Sequence, residues 1–213
     1  MPSLAPPAAA PTGSAAPLPG AAGTALDGRH RRSELTRSRI VAALNALVQE
    51  GVITPTAEQV SARADVGLRT VFRHFDDMET LYREMSLAFD AILATALRLR
   101  LQATGWQDRL QESVVLRAEL FERLLPYYIG TQAHRHESPF LNGRLSHGAA
   151  VDREQVRRLL PAAVVEDTPR FEALLLMLSI DAWLRLRREQ GLTVATATAV
   201  MQTGVRALVN GLA

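Results

Sequence analysis

The chain has 213 residues, 24 of them basic and all arginine against 22 acidic, for a formal net charge of +2; it has no cysteine, which excludes disulfide frameworks, thiolate catalysis and cysteine-based zinc sites. With 47% hydrophobic but only 5% aromatic residues, the core has to be built from Leu, Val and Ala, which favours packed helices over an aromatic-rich sandwich. The longest strongly apolar run, Leu174 to Ile180, is too short to cross a bilayer, and no positive segment followed by an apolar stretch opens the chain, so the expectation is a soluble cytoplasmic protein with no membrane partner.

Residues 1–26 hold six Pro, three Gly and no charged side chain, the composition of a disordered extension, which we take to residue 28. Residues 28–40 then carry five Arg against one Glu, and residues 61–75 three Arg against one Asp. The basicity is local, as a nucleic-acid footprint is. From Ser33 to Glu50, Ile40, Val41, Leu44, Leu47 and Val48 draw one apolar stripe on a helix that Gly51 ends. Thr56-Ala57-Glu58-Gln59 has capping-box spacing and opens a short second helix, interrupted at Asp65-Val66-Gly67; a third runs from Leu68 to about Phe75. Asp76-Asp77-Met78-Glu79 reads as a second capping box, opening a long helix that ends before Gly105. Further helices are expected over Gln107–Leu125, over a short aromatic stretch at 126–136, after Pro139, over Asp152–Leu160, from Thr168-Pro169 to Gln190, and from Thr193 to Val209. No alternating strand pattern and no internal repeat is present, so the fold class is all-α.

Three helices within residues 34–75, the last two joined by a tight turn, suit a helix-turn-helix, in which one helix braces on the DNA backbone and the next lies in the major groove. Ala57, Ser61, Ala62 and Ala64 are small enough for the helix contact, Val60, Val66 and Val71 are placed for a small core, and Arg69, Thr70 and Arg73 are free to face outward. The string Thr56-x3-Val60-Ser61-x2-Ala64-Asp65-Val66-Gly67-x2-Thr70-Val71-Phe72-Arg73-His74-Phe75, followed by Glu79-x-Leu81, resembles the DNA-binding domain of tetracycline-repressor-like (TetR) family regulators. The stretch Ala182 to Leu192 is similar to a penultimate-helix ending common in that family, whereas residues 100–165 carry no distinctive match.

The resemblance implies three regions: the extension at 1–28, a helix-turn-helix domain at 29–78, and a helical effector-binding and dimerisation domain at 79–213. It implies a homodimer that binds a double-stranded DNA operator and is released by a small-molecule effector, that is, a transcriptional repressor with no cofactor and no catalytic residues. Carried over by position, Thr56 caps the second helix and meets a phosphate, Leu68, Arg69, Phe72 and Arg73 lie on the recognition helix, Thr70 and His74 approach the backbone, and Arg37 and Arg39 add phosphate contacts. Four positions depart from the family pattern: Ser61 replaces a small Ala, Asp65 a turn Gly, Phe72 a Tyr that often touches phosphate, and Met78 a Lys. The loss of two backbone contacts suggests weaker binding, or compensation by Arg29, Arg31, Arg32 and Arg37.

An effector pocket between the middle helices has candidate walls in Leu97, Trp106, Leu110, Val114, Phe121, Tyr127, Tyr128, Phe140, Met177 and Trp183, an apolar lining with polar tips; each of these residues is equally suited to plain core. Leu174, Leu178 and Ala182 on one of the last helices, and Ala197, Met201, Val205 and Leu208 on the other, form faces that need burial, either in the protomer or across a two-fold axis, which the family comparison favours. Asp181 has the spacing to pair with Arg185. His134-x-His136-Glu137, with His147 nearby, is a poor metal pattern, and no metal is expected; no nucleophile elbow or phosphate loop is present. Two other readings stand beside the regulator: a helical ligand-binding or scaffold protein whose DNA contacts have decayed, and an all-helical enzyme using His134 and His136.

Overall fold

The computed structural model describes residues 21–96 and 101–212. It divides into two compact units, residues 1–38 and 39–213. Helix α1 (Ala21–Gln49) starts well before Ser33, so residues 21–28, which the sequence assigned to a disordered extension, are helical; residues 1–20 of that extension, and Leu97, lie outside the described residues. In the first unit, the arginines at 31 and 32 are exposed, and Thr36 donates its hydroxyl to the Arg32 carbonyl one turn back at 2.9 Å.

Every described residue of the second unit is helical or in a connection. The remaining helices are α2 (Ala57–Ala64), α3 (Leu68–His74), α4 (Met78–Ala96), α5 (Trp106–His134), α6 (Pro139–Leu159), α7 (Ala162–Glu166), α8 (Thr168–Met177), α9 (Ile180–Leu184) and α10 (Val194–Val209), with a π-helical turn over Arg185–Glu189. Two apolar cores hold them. One joins Ile40, Leu44 and Val48 of α1 to Val60, Val71 and Phe75, and continues into Leu81 and Met85 of α4, Tyr127 of α5 and Leu141 of α6. The other gathers α5 and α6 with everything after them, around Leu110, Val114, Phe171 and Trp183. The helix-turn-helix shares its core with α4.

Three differences from the expected elements have local causes. Helix α5 passes straight through Pro126, because Leu124, Leu125, Tyr127 and Tyr128 are all buried around it. That packing outweighs the ~3 kcal/mol that an interior proline costs. The single helix expected over 168–190 breaks at Leu178–Ser179, where the Ser179 hydroxyl caps a new start by accepting from Ala182 N at 3.1 Å. Caps also shift by one residue: Asp77 accepts from Thr80 N at 2.7 Å, in place of a box on Asp76, and Asp167 accepts from Arg170 N at 3.3 Å, in place of Thr168.

Candidate functional site

The turn between α2 and α3 is set by a few contacts. Thr56 and Gln59 form the expected capping box, with Gln59 N donating to Thr56 Oγ1 at 3.3 Å and Thr56 N to Gln59 Oε1 at 2.9 Å. Asp65 ends α2 at φ +51°, the left-handed region that Asp enters more readily than most residues. Arg39 reaches across from α1: its Nη2 donates to the Ala64 carbonyl at 2.6 Å and to the Asp65 carbonyl at 3.3 Å. The guanidinium braces the turn, which would otherwise leave those carbonyls open at the helix end. Arg63 of α2 forms a two-pronged pair with Glu50 just past α1, which holds the Glu50 carboxyl below its usual range.

Helix α3 sorts its side chains cleanly. Val71 faces in, 1% exposed, and Phe75 seals the end at 1%. Leu68, Arg69, Phe72 and Arg73 are exposed, Phe72 at 47%, while Thr70 and His74 are half-buried on the flank. A seven-residue helix thus presents two arginines and an aromatic ring on one outer face.

A cavity of about 940 Å³ lies among α4, α5, α6, α8 and α9. Its long wall is α5, where Ser113, Arg117, Leu120, Phe121, Leu124 and Tyr128 recur at three- and four-residue spacing along one face. Of the candidate walls, Phe121, Tyr127 and Tyr128 line it. The others do not. Leu110, Val114 and Trp183 are fully buried in the second core, and Trp106 packs against it. Phe140 packs on the first core under the Arg83 guanidinium, 4.2 Å from the ring centre. Met177 packs on Gly204 of α10, where an added Cβ would meet its Cε at 2.6 Å.

Polar groups that the periodicity hides sit in or beside this wall. Tyr128 donates its hydroxyl to Asp181 Oδ1 at 2.7 Å, and Gln132 donates to Tyr128 at 2.8 Å. Burial, then the Asp181 carboxylate, push the Tyr128 hydroxyl far above its usual range. Asp181 therefore pairs with Tyr128 and not with Arg185, which reaches Glu189 at 3.8 Å. Arg117, buried at 9% exposure, donates from Nη1 to Asp152 Oδ1 at 2.5 Å and to the Leu178 carbonyl at 3.3 Å. An arginine inside the apolar run Val114–Ala118–Phe121 was the readable signal for it. Behind the wall, Glu122 accepts from Trp183 Nε1 and Arg187 Nε, both at 2.8 Å, and clasps the π turn to α5. The Arg187 hydrogen bonds, with that of Trp183, hold the Glu122 carboxyl below its usual range. His134 is engaged with Tyr82 Oη at 3.1 Å and Glu137 Oε2 at 3.2 Å, and among the described residues no group of three potential metal ligands gathers.

Five of the seven expected interface residues are sealed within the protomer. Leu174, Leu178, Ala197, Met201 and Val205 are each 0% exposed in the isolated protomer, because the apolar faces of α8 and α10 close on α5 and on each other. Ala182 and Leu208 are half-buried. The outward face of α10 is a different one, with Val194 and Val200 each 40% exposed and Thr196, Ala199 and Thr203 around a shallow depression.

No family model and no curated protein sequence matches the chain. Solved structures do. A transcriptional regulator from Rhodococcus sp. Rha1 is similar over 82% of this chain and 96% of its own, with a TM-score of 0.63 and 16% identity. A protein from Mesorhizobium loti assigned to the TetR family of transcriptional regulators is similar over 84% of this chain and 96% of its own, with a TM-score of 0.57 and 21% identity. The all-helical fold is the one these regulators have. No described helix is long and apolar enough to cross a membrane.

Proposed function

We propose that the protein is a ligand-responsive transcriptional regulator, a non-enzymatic repressor that binds double-stranded DNA as a homodimer and leaves it when a small molecule fills the cavity. The observation that carries this reading is the outer face of α3, where Arg69, Phe72 and Arg73 project from a helix whose Val71 is locked in the core. Each arginine suits a bidentate contact with a guanine edge in the major groove. Thr56, Thr70, His74 and Arg39 are the proposed backbone contacts, and Leu68 and Phe72 the apolar ones. The fold shared with two regulators supports the same reading.

A ligand acts on DNA only through differential affinity for two conformations. The contacts supporting such a link are local. Tyr127 lines the cavity and accepts a hydrogen bond from Gln49 at the end of α1 at 2.9 Å. One turn on, α5 comes so close to the loop after α1 that a Cβ at Gly130 would meet the Ile53 carbonyl at 3.1 Å. The proposed two-fold contact uses the outward face of α10. Two measurements test the reading: retention of duplex DNA with a steep salt dependence, lost on replacing Arg69 and Arg73 with Ala, and sedimentation at micromolar concentration as a dimer. Salt-independent or absent retention, or particles of 23.3 kDa only, would count against it.

A further inference from the structure

Among the described residues four arginines line the cavity, and three of them are fully engaged by carboxylates or solvent-exposed. Arg144 gives both terminal nitrogens to Asp90, Arg153 both to Glu172, and Arg158, its side chain 75% exposed, pairs through Nε with Glu154. Arg117 differs on both counts. Its side chain is 10% exposed, and both of its contacts, to Asp152 and to the Leu178 carbonyl, leave from the single nitrogen Nη1. Its Nε and Nη2 meet no acceptor among the described residues, yet neither is sealed off. Arg117 itself lines the cavity.

A buried guanidinium with one edge unused is a costly arrangement unless something fills it. The Nε–Nη2 edge is a rigid fork of two parallel donors, and its geometric complement is a carboxylate held by both oxygens. Immediately along α5, Leu120, Phe121 and Leu124 line the same cavity, so the fork opens beside an apolar bed. Ser113, one turn before Arg117, has its hydroxyl proton committed to the Leu110 carbonyl at 2.7 Å and offers no competing donor.

We propose that Arg117 is the anchor for the carboxylate of an otherwise apolar acid, whose body lies along Leu120, Phe121 and Leu124. The assignment names the ligand class of the site read above as the effector cavity and rests on that reading, but its test does not pass through DNA. Asp152 competes for the same guanidinium and holds affinity down. Among the described wall carboxylates, Asp181 is the one without a cation partner; it is committed to Tyr128, and an amine-bearing ligand would have to bind there instead.

The test is titration calorimetry of the full chain with three matched probes below their micelle concentrations: decanoate, decan-1-ol and decylamine. Decanoate should bind about tenfold or more tighter than the alcohol. The advantage should vanish in Arg117→Met, and also in the double variant R117M/D152N, which removes both partners and so strands no buried charge. Asp152→Asn should instead strengthen decanoate binding severalfold while leaving the alcohol unchanged. Decanoate binding no tighter than the alcohol, including no binding of either, would overturn the assignment. So would an advantage that survives R117M/D152N, or a preference for decylamine. A chain that holds decanoate through Arg117 but shows no DNA selectivity keeps this assignment and loses the regulator reading; DNA selectivity with no carboxylate preference does the reverse.

Discussion

The α2–α3 pair and the α8–α10 end of the chain are built from the same helix physics, yet their side chains are fixed by different amounts of context. In α3 one valine faces in, both arginines face out and Thr70 and His74 lie on the flank, so position along the helix determines what each residue meets. In α8 to α10 apolar residues occupy more than one face, and which of them enter the core depends on neighbours far away in sequence. Leu174 and Met201 are sealed at 0% exposure while Leu176, two positions from the first, is 69% exposed. The outer surface of the head is thus set locally, whereas that of the tail is what remains after the core has taken its share.

The largest expected effect falls on the tail. Trp183→Ala empties a fully buried site and removes a donor to Glu122, and should destabilise the protein by about 3–5 kcal/mol in chemical denaturation. A loss below about 1 kcal/mol would mean that the α5–α9 packing is not the core described. In the head, Arg69→Ala and Arg73→Ala should each leave stability unchanged, because both side chains are exposed, and cost about 1–3 kcal/mol of DNA discrimination at one base position. Loss of folding in either variant would erase the contrast between the two regions.

A pH experiment sharpens the comparison. The Glu122 carboxyl sits below its usual range because Arg187 and Trp183 bond its ionised form. Its contribution is therefore present above the unfolded carboxylate value, about 4.3, and disappears as the pH falls through the lower folded value. Glu122→Gln should flatten the stability profile between about pH 3 and 5, measured as denaturation midpoints, with an unchanged slope as the adverse result. Next in size is Arg39→Gln, which opens the Ala64 carbonyl and should cost about 1 kcal/mol. The smallest effect has the opposite sign: Asp65→Gly relieves a left-handed residue and should raise stability by about 0.5–1 kcal/mol. If it lowers stability, the Asp65 carboxylate, 3.8 Å from Arg39, matters more than the backbone angle.

Much of the head was legible because its motif is a set of local requirements. A cap at Thr56, small residues at Ala57 and Ala64, a turn at Asp65 and buried Val60 and Val71 all stand where the sequence places them. The bracing role of Arg39 was not legible, because its partners are backbone carbonyls 25 and 26 residues away. In the body, the α5 stripe was visible as a helix but not as a wall, since the same spacing serves core and cavity alike. Pro126 argued for a break that tertiary packing overrode, and Ser179 supplied a cap inside a run that reads as continuous helix. The clearest cavity residues, Arg117, Asp152 and Asp181, come from three separate elements, and only folding brings them to one surface.

The central claim is that the outward face of α3 reads duplex sequence. Selection of bound fragments from random double-stranded DNA tests it most directly. The account predicts enrichment of a partly palindromic site with half-sites about one helical turn apart, and loss of preference at one guanine per half-site in the Arg73→Ala protein. Recovery of fragments with no shared sequence, or the same enriched site from the wild-type and the Arg69→Ala/Arg73→Ala proteins, would contradict it.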